Sequence, residues 1–170
     1  VPTTDAGDAS GTGIFDAKTR TFDRTLAAAL LDDESFPDKL PRVLGPNECA
    51  GTLHERYKRL LRIPADQKEK VVVSAGSGDN MMSALGSNCV EPGVAVLSLG
   101  TSGTLFGVSE TPVTTGTAVA AFCDATGRHF PLACVMSCTA VLQTVLQEWC
   151  PLFHSSHDEA SQAILQTEPG

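Results

Sequence analysis

Val71-Val72-Val73-Ser74-Ala75-Gly76-Ser77-Gly78-Asp79-Asn80 reads as a strand that ends in tiny residues and delivers an acid to the start of a helix. Three consecutive valines predict a buried strand, because β-branched side chains pack well on a pleated surface covered on both faces. Ser74 to Gly78 carry so little side chain that a ligand can approach the backbone closely. A helix is expected from Asp79 to about Gly86. At its start, unpaired N–H groups favour the ionised form of Asp79, which makes it an available carboxylate near neutral pH. Taken alone, the same acid is more simply a helix cap. The stretch is not a dinucleotide fingerprint, because Met81 stands where the third glycine belongs.

Upstream, residues 5–12 are rich in Gly, Asp, Ser and Thr, a loop composition, and Asp8-Ala9-Ser10-Gly11-Thr12 reads as a turn before a short strand at 13–16. A brief helix follows at 25–31, capped by Thr21 or Asp23. Pro37, Pro41 and Pro46 predict an irregular, extended segment over 37–46. Residues 52–61 place Leu53, Tyr57, Leu60 and Leu61 at helical spacing, with Thr52 and Glu55 arranged as a capping box.

Downstream the style changes near residues 88–93. Two β-prone runs, 93–99 and 104–109, flank Gly100-Thr101-Ser102-Gly103 and predict a tight hairpin. Its turn offers backbone N–H groups and hydroxyls suited to phosphate oxygens, although Gly/Ser/Thr turns mostly serve turn geometry. A serine nucleophile at Ser102 is disfavoured, since the nucleophile elbow needs a strand-to-helix turn with different glycine spacing. A second strand pair is expected at 119–123 and 129–136, then an apolar helix over 137–149 with a hydroxyl cap, and a short amphipathic helix over 155–165 capped by Ser155 or Ser156.

Composition removes several function classes. Twelve basic against 20 acidic residues give a net charge of −8, with no concentrated basic patch, so nucleic-acid and anionic-membrane partners are not expected. The longest apolar stretches are far shorter than the roughly 20 residues of a spanning helix. Six cysteines, scattered singly through apolar segments, read as reduced core thiols of a cytoplasmic protein. Cys134 with Cys138, and Cys150 with His154 and His157, lack the paired spacing of a zinc site, so no metal ligands are assigned. Trp149 is read as core, and His54 and His129 as surface or strand residues. The chain opens Val1-Pro2-Thr3-Thr4 without an initiator Met and is expected to be an internal piece of a longer protein.

Three motifs occur in one order: Asp8-Ala9-Ser10-Gly11-Thr12, then Ser74-Ala75-Gly76-Ser77-Gly78-Asp79-Asn80, then Leu97-Ser98-Leu99-Gly100-Thr101-Ser102-Gly103. Together with Cys49-Ala50-Gly51-Thr52-Leu53, this order resembles the FGGY carbohydrate kinases, and within them the xylulokinases. The resemblance implies an α/β, ribonuclease-H-like fold of the actin/hexokinase ATPase type, with residues 1–90 ending a sugar-binding first domain and 91–170 beginning an ATP-binding second domain. It also implies phosphorylation of a sugar by ATP with Mg2+, Asp79 acting as general base, Asn80 touching the sugar, and Gly100, Thr101 and Ser102 facing the nucleotide phosphates. Asn80, where glycerol kinases of the family usually have Gln, favours D-xylulose, converted to D-xylulose 5-phosphate. Another ketose or polyol, or a non-catalytic binding or regulatory protein on the same fold, are the alternatives. The expected partners are sugar and ATP, with a homodimer left open, and the piece alone is expected to be inactive.

Overall fold

A computed structural model describes residues 2–113, 118–149 and 157–168, without the side chains of 68–70, 149, 157 and 160. By internal contacts the chain separates into two units, one of residues 1–96 with 106–133 and one of 97–105 with 134–170.

The first unit opens with β1 (Thr3–Asp5), paired in parallel with β4 (Arg42–Leu44) so that Asp5 lies beside Leu44. The segment expected as a loop is instead a helix, α1 (Ala6–Ser10). Its composition disfavours a helix, but the Asp5 carboxylate accepts hydrogen bonds from the N–H groups of Gly7 (2.7 Å) and Asp8 (3.2 Å), and this capping outweighs weak propensity. Next comes a hairpin of β2 (Phe15–Asp16) and β3 (Thr21–Phe22), closed by edge-to-face packing of Phe15 on Phe22 at 5.3 Å. The helix expected at 25–31 is α2 (Arg24–Leu31); Asp23, not Thr21, caps it by accepting from Leu26 N–H at 2.9 Å.

The proline segment is more ordered than expected. It contains a 3₁₀ turn, Phe36–Lys39, with Pro37 near its start, and then β4. The prolines leave the N–H groups of residues 42–44 free to join a ladder.

The helix expected over 52–61 begins three residues late, as α3 (Glu55–Leu60). Thr52 is taken up by the antiparallel pairing of β5 (Cys49–Thr52) with β6 (Val72–Ser74), where it lies opposite Val72. The cap is His54, whose Nδ1 accepts from Arg56 N–H at 3.2 Å. The valine strand forms as expected, yet its valines are not buried: Val72 is 60% exposed within these residues.

After β6 the chain turns into α4 (Asp79–Gly86) and then a four-stranded sheet. The sheet order is β7 (Ala95–Leu99), β8 (Gly103–Gly107), β10 (His129–Val135), β9 (Ala120–Cys123). Only three residues join β7 to β8, which leaves room for antiparallel pairing alone. The expected second pair is present: β9 and β10 are antiparallel with Phe122 opposite Phe130.

A core cluster lies in the first unit. Met81 and Ala84, one turn apart on α4, meet Cys89, Phe106, Phe130 and Leu132 there. Phe106 and Phe130 stack at 5.1 Å. Burial of a large apolar side chain contributes about 1.5–3 kcal/mol, so this cluster fixes the body of α4 against β8 and β10.

In the second unit, α5 (Thr139–Thr144) continues into a π-helical turn, Val145–Trp149. The hydroxyl cap expected for this helix is absent: Cys138 holds the cap position and makes no side-chain capping bond. The tail helix is α6 (His157–Ile164). Its expected caps Ser155 and Ser156, the residues Cys150 and His154, and the side chains of Trp149 and His157 lie outside the description. No helix among the described residues is long and apolar enough to cross a membrane.

Candidate active site

Asp79 reaches its position through three successive elements. β6 ends at Ser74, Gly76 takes a left-handed φ of +83° that turns the chain, and Gly78 stands at the cap position of α4. Gly78 has no side chain with which to cap, and Asp79 is the first helical residue rather than the cap. Asp79 therefore does not hold the cap position, although its carboxylate still serves the first turn of the helix. Its Oδ1 accepts from the N–H of Asn80 at 2.7 Å, while the side chain is exposed. Asn80 follows it in the first turn, half-buried. Met81, on the far side of the helix from Asp79, and Ala84 point into the core, so α4 presents one anchored face and one exposed carboxylate.

The first turn of α4 is also tied to the start of the chain. Ser77 Oγ donates to the Asp5 carboxylate at 2.8 Å, across 72 residues. Asp5 is 7% exposed and accepts from three donors in all, which is how a buried carboxylate is kept satisfied. A cavity of about 160 Å³ touches this turn at Gly76 and is lined by Asp5, Arg20 and Asp124 among others. Asp79 does not line it, and its side chain is exposed.

Asp8-Ala9-Ser10-Gly11-Thr12 serves the fold. Ser10 Oγ donates to Ala6 O (2.6 Å) and accepts from Cys123 N–H (3.1 Å), and Thr12 Oγ1 donates to Ala9 O (2.7 Å). These hydroxyls are committed to protein partners.

In the second unit the β7–β8 turn is held from behind. Cys138 N–H donates to Thr101 O and Thr139 N–H to Gly100 O, both at 3.0 Å, and Thr139 Oγ1 adds a 2.6 Å bond to Gly100 O. A Cβ on Gly103 would come within 3.0 Å of Val135 and 3.1 Å of Cys138 Sγ, tighter than ordinary contact, so glycine suits the close approach of β8 to these side chains. With these carbonyls occupied, the N–H groups of Thr101 and Ser102 have no partner among the described residues, and Gly100, Thr101 and Ser102 are all exposed. Paired backbone N–H groups with adjacent hydroxyls are suited to anionic oxygen.

Among the described residues no group of three or more His, Cys, Asp or Glu could hold a metal ion. Of the cysteines, Cys89 and Cys123 are buried, whereas Cys49 and Cys134 are exposed, contrary to a uniform core role; all four are free thiols, as is Cys138.

The sequence model of the FGGY family of carbohydrate kinases, N-terminal domain, matches residues 1–86, which contain β1 through α4 and the Gly78-Asp79-Asn80 turn. The chain belongs to the FGGY family of carbohydrate kinases. This FGGY chain is 42% identical over 144 residues to a xylulose kinase of Streptomyces coelicolor, covering 84% of the chain and 28% of that protein. It thus spans little more than a quarter of that relative. Among solved structures, xylulose kinase from Bifidobacterium adolescentis superposes with a TM-score of 0.73 at 31% identity, over 99% of this chain and 33% of that one. Glycerol kinase from Plasmodium falciparum gives the same TM-score of 0.73 at 14% identity, over 97% of this chain and 32% of that one, a likeness of fold alone. The fold is accordingly the α/β, actin/hexokinase-type ATPase fold of the FGGY kinases.

Sequence reading found the two turns but not what holds them. Ser77 on one side, and Thr139 and Cys138 on the other, carry no local signature, because each bonds a partner distant in the chain; Asp5 and Gly7 form a local cap hidden in a loop-like composition. The one usable hint was a lone Asp before a glycine-bearing segment, a pattern shared by capped helices and simple turns.

Proposed function

We propose that this chain is part of a kinase that transfers the γ-phosphoryl group of ATP to a sugar hydroxyl, with D-xylulose as the substrate and D-xylulose 5-phosphate as the product. The observation that carries it is Asp79, an exposed carboxylate on the first turn of a helix whose opposite face is locked in the core. The likeness to xylulose kinases over most of the chain supports the choice of sugar.

Asp79 takes the proton from the attacking hydroxyl, and Asn80 beside it bonds the sugar. Phosphoryl transfer has a loose transition state, so alignment and charge stabilisation matter more than a strongly basic group. A carboxylate of ordinary basicity is sufficient. The exposed Thr101 and Ser102 N–H groups and hydroxyls, with Gly100, fit the phosphate oxygens of ATP. ATP would supply the phosphoryl group, and Mg2+, which prefers oxygen ligands and keeps several waters, would neutralise the charge of its phosphates.

Residues 1–90 are read as the end of the sugar-binding domain and 91–170 as the start of the ATP-binding domain, with the family match ending at residue 86 in support of the first boundary. A cytoplasmic location, free of nucleic-acid and membrane partners, fits the acidic composition and scattered free thiols.

The test is ATP consumption by the full-length protein with D-xylulose, before and after Asp79→Ala. Removal of a general base should lower kcat by about 10²–10⁴-fold. Unchanged turnover in the variant removes Asp79 from the mechanism.

A further inference from the structure

We propose that Ser77, held by the buried carboxylate of Asp5, is a positioning residue that aims Asp79 at the substrate hydroxyl; the inference rests on the reading of Asp79 as the base.

Asp79 is joined to β6 through a segment built to be loose. Gly76 adopts a left-handed backbone and Gly78 contributes no side chain to cap α4, so both residues flanking Ser77 are glycines with wide conformational freedom. The core contacts of Met81 and Ala84 fix the body of α4 but lie two and five residues beyond Asp79. Within the Gly76–Gly78 turn itself, Ser77 supplies the side-chain hydrogen bond, 2.8 Å from its Oγ to Asp5 Oδ2.

The receiving end is rigid. Asp5 closes β1, pairs beside Leu44, and uses the same Oδ2 to accept from the N–H groups of Gly7 and Asp8 that begin α1. Burial strengthens each of these charge-assisted bonds. One oxygen therefore joins a strand end, a helix start and the turn that delivers the acid.

The fit around this oxygen is close. A Cβ on Gly7 would lie 2.5 Å from Ser77 Oγ, 2.9 Å from Asp5 Oδ2 and 3.1 Å from Met81 Cγ. The Ser77 hydroxyl occupies the space that any other residue at position 7 would need. Helix capping alone would require only the bonds from Gly7 and Asp8. The third bond, from a residue two places before Asp79, is what links α1 to the base.

A base must lie within about 2.6–3.2 Å of the proton it removes, and a displacement near 1 Å can cost about 100-fold in rate. Losing the hydroxyl should therefore act on kcat through Asp79 rather than on ATP binding.

The experiment is a double-mutant cycle in the full-length protein, with Ser77→Ala, Ser77→Thr, Asp79→Asn and Ser77→Ala/Asp79→Asn, each checked for folding by its thermal midpoint. Ser77→Ala is expected to lower kcat about tenfold, with KM for ATP unmoved and activity recovered in Ser77→Thr. On the Asp79→Asn background, Ser77→Ala should make no further difference to the residual turnover, because residues acting through one group are not additive. Wild-type kcat in Ser77→Ala, or an undiminished tenfold loss on the Asp79→Asn background, overturns the proposal. Full activity in Asp79→Asn alone would instead overturn the assignment of the base.

Discussion

Cys123 shows how much a single side chain's chemistry depends on its surroundings. It is fully buried, its Sγ lies 3.4 Å from Ala17 O, and burial pushes the thiol above its ordinary range although a hydrogen bond with Ser10 pulls the other way. A folded-state value above the unfolded one means that the stability from this thiol is fully present below about pH 8.5. It is lost as the pH rises further, because the unfolded chain releases its proton first. A thiol-reactive chromophore at pH 8 should accordingly label Cys49 and Cys134 quickly and Cys123 only at the rate of unfolding. Rapid labelling of Cys123 in folded protein would falsify this picture. The sequence identified Cys123 as a core residue from its apolar neighbours, but the same reasoning also placed Cys49 and Cys134 in the core. Neighbours along a chain report hydrophobicity, whereas exposure depends on which element lies across from the residue.

Elements in this chain are held by side chains that reach across them. Arg128, in the turn between β9 and β10, donates to Val90 O in the connection between α4 and β7 and to Glu110 at 3.2 Å, and its Nε lies 3.6 Å from the buried Asp124 carboxylate. Asp124 in turn accepts from Thr126 N–H and from Arg128 N–H. Arg128→Ala would leave Val90 O without this donor and Asp124 without its cation, a loss of about 1–3 kcal/mol. Arg128→Lys should recover only part of it, because one ammonium cannot reproduce the spread of the guanidinium fork. Urea unfolding at neutral pH measures the effect; an unmoved midpoint would show these contacts to be screened surface pairs of little weight. At this scale local pattern performed well where an element depends on its own residues. α4 starts and ends where expected, and Asp23 caps α2. It failed where a distant partner claims a residue, as β6 claims Thr52 and so delays α3.

The whole chain carries a proposed base and one turn proposed to face phosphate, yet spans only 28% of the Streptomyces coelicolor xylulose kinase. Expressed alone, the 170 residues should show no ATP-dependent phosphorylation of D-xylulose in a coupled assay, and turnover above background would contradict the division of the site proposed above. Many large apolar side chains stay exposed within these residues, among them Met136 at 83% and Leu97 at 63%. The valine strand belongs to the same class. Hydropathy states what a side chain can bury; it does not state which surface covers it. By itself, the sequence determined the kind of protein, because three short motifs in a set order are specific together, and it determined most elements whose capping and turn chemistry are local. Only the tertiary structure decided that Asp5 caps a helix rather than sitting in a loop, that its carboxylate holds Ser77 across 72 residues, and that Thr139 holds the Gly100–Ser102 turn from behind. The bonds made by Ser77 and Thr139 join residues 72 and 39 apart, and no periodicity or spacing records them before the chain has folded; the Asp5 cap is local, but the Gly, Asp, Ser and Thr around it have a loop's composition, which hides the helix.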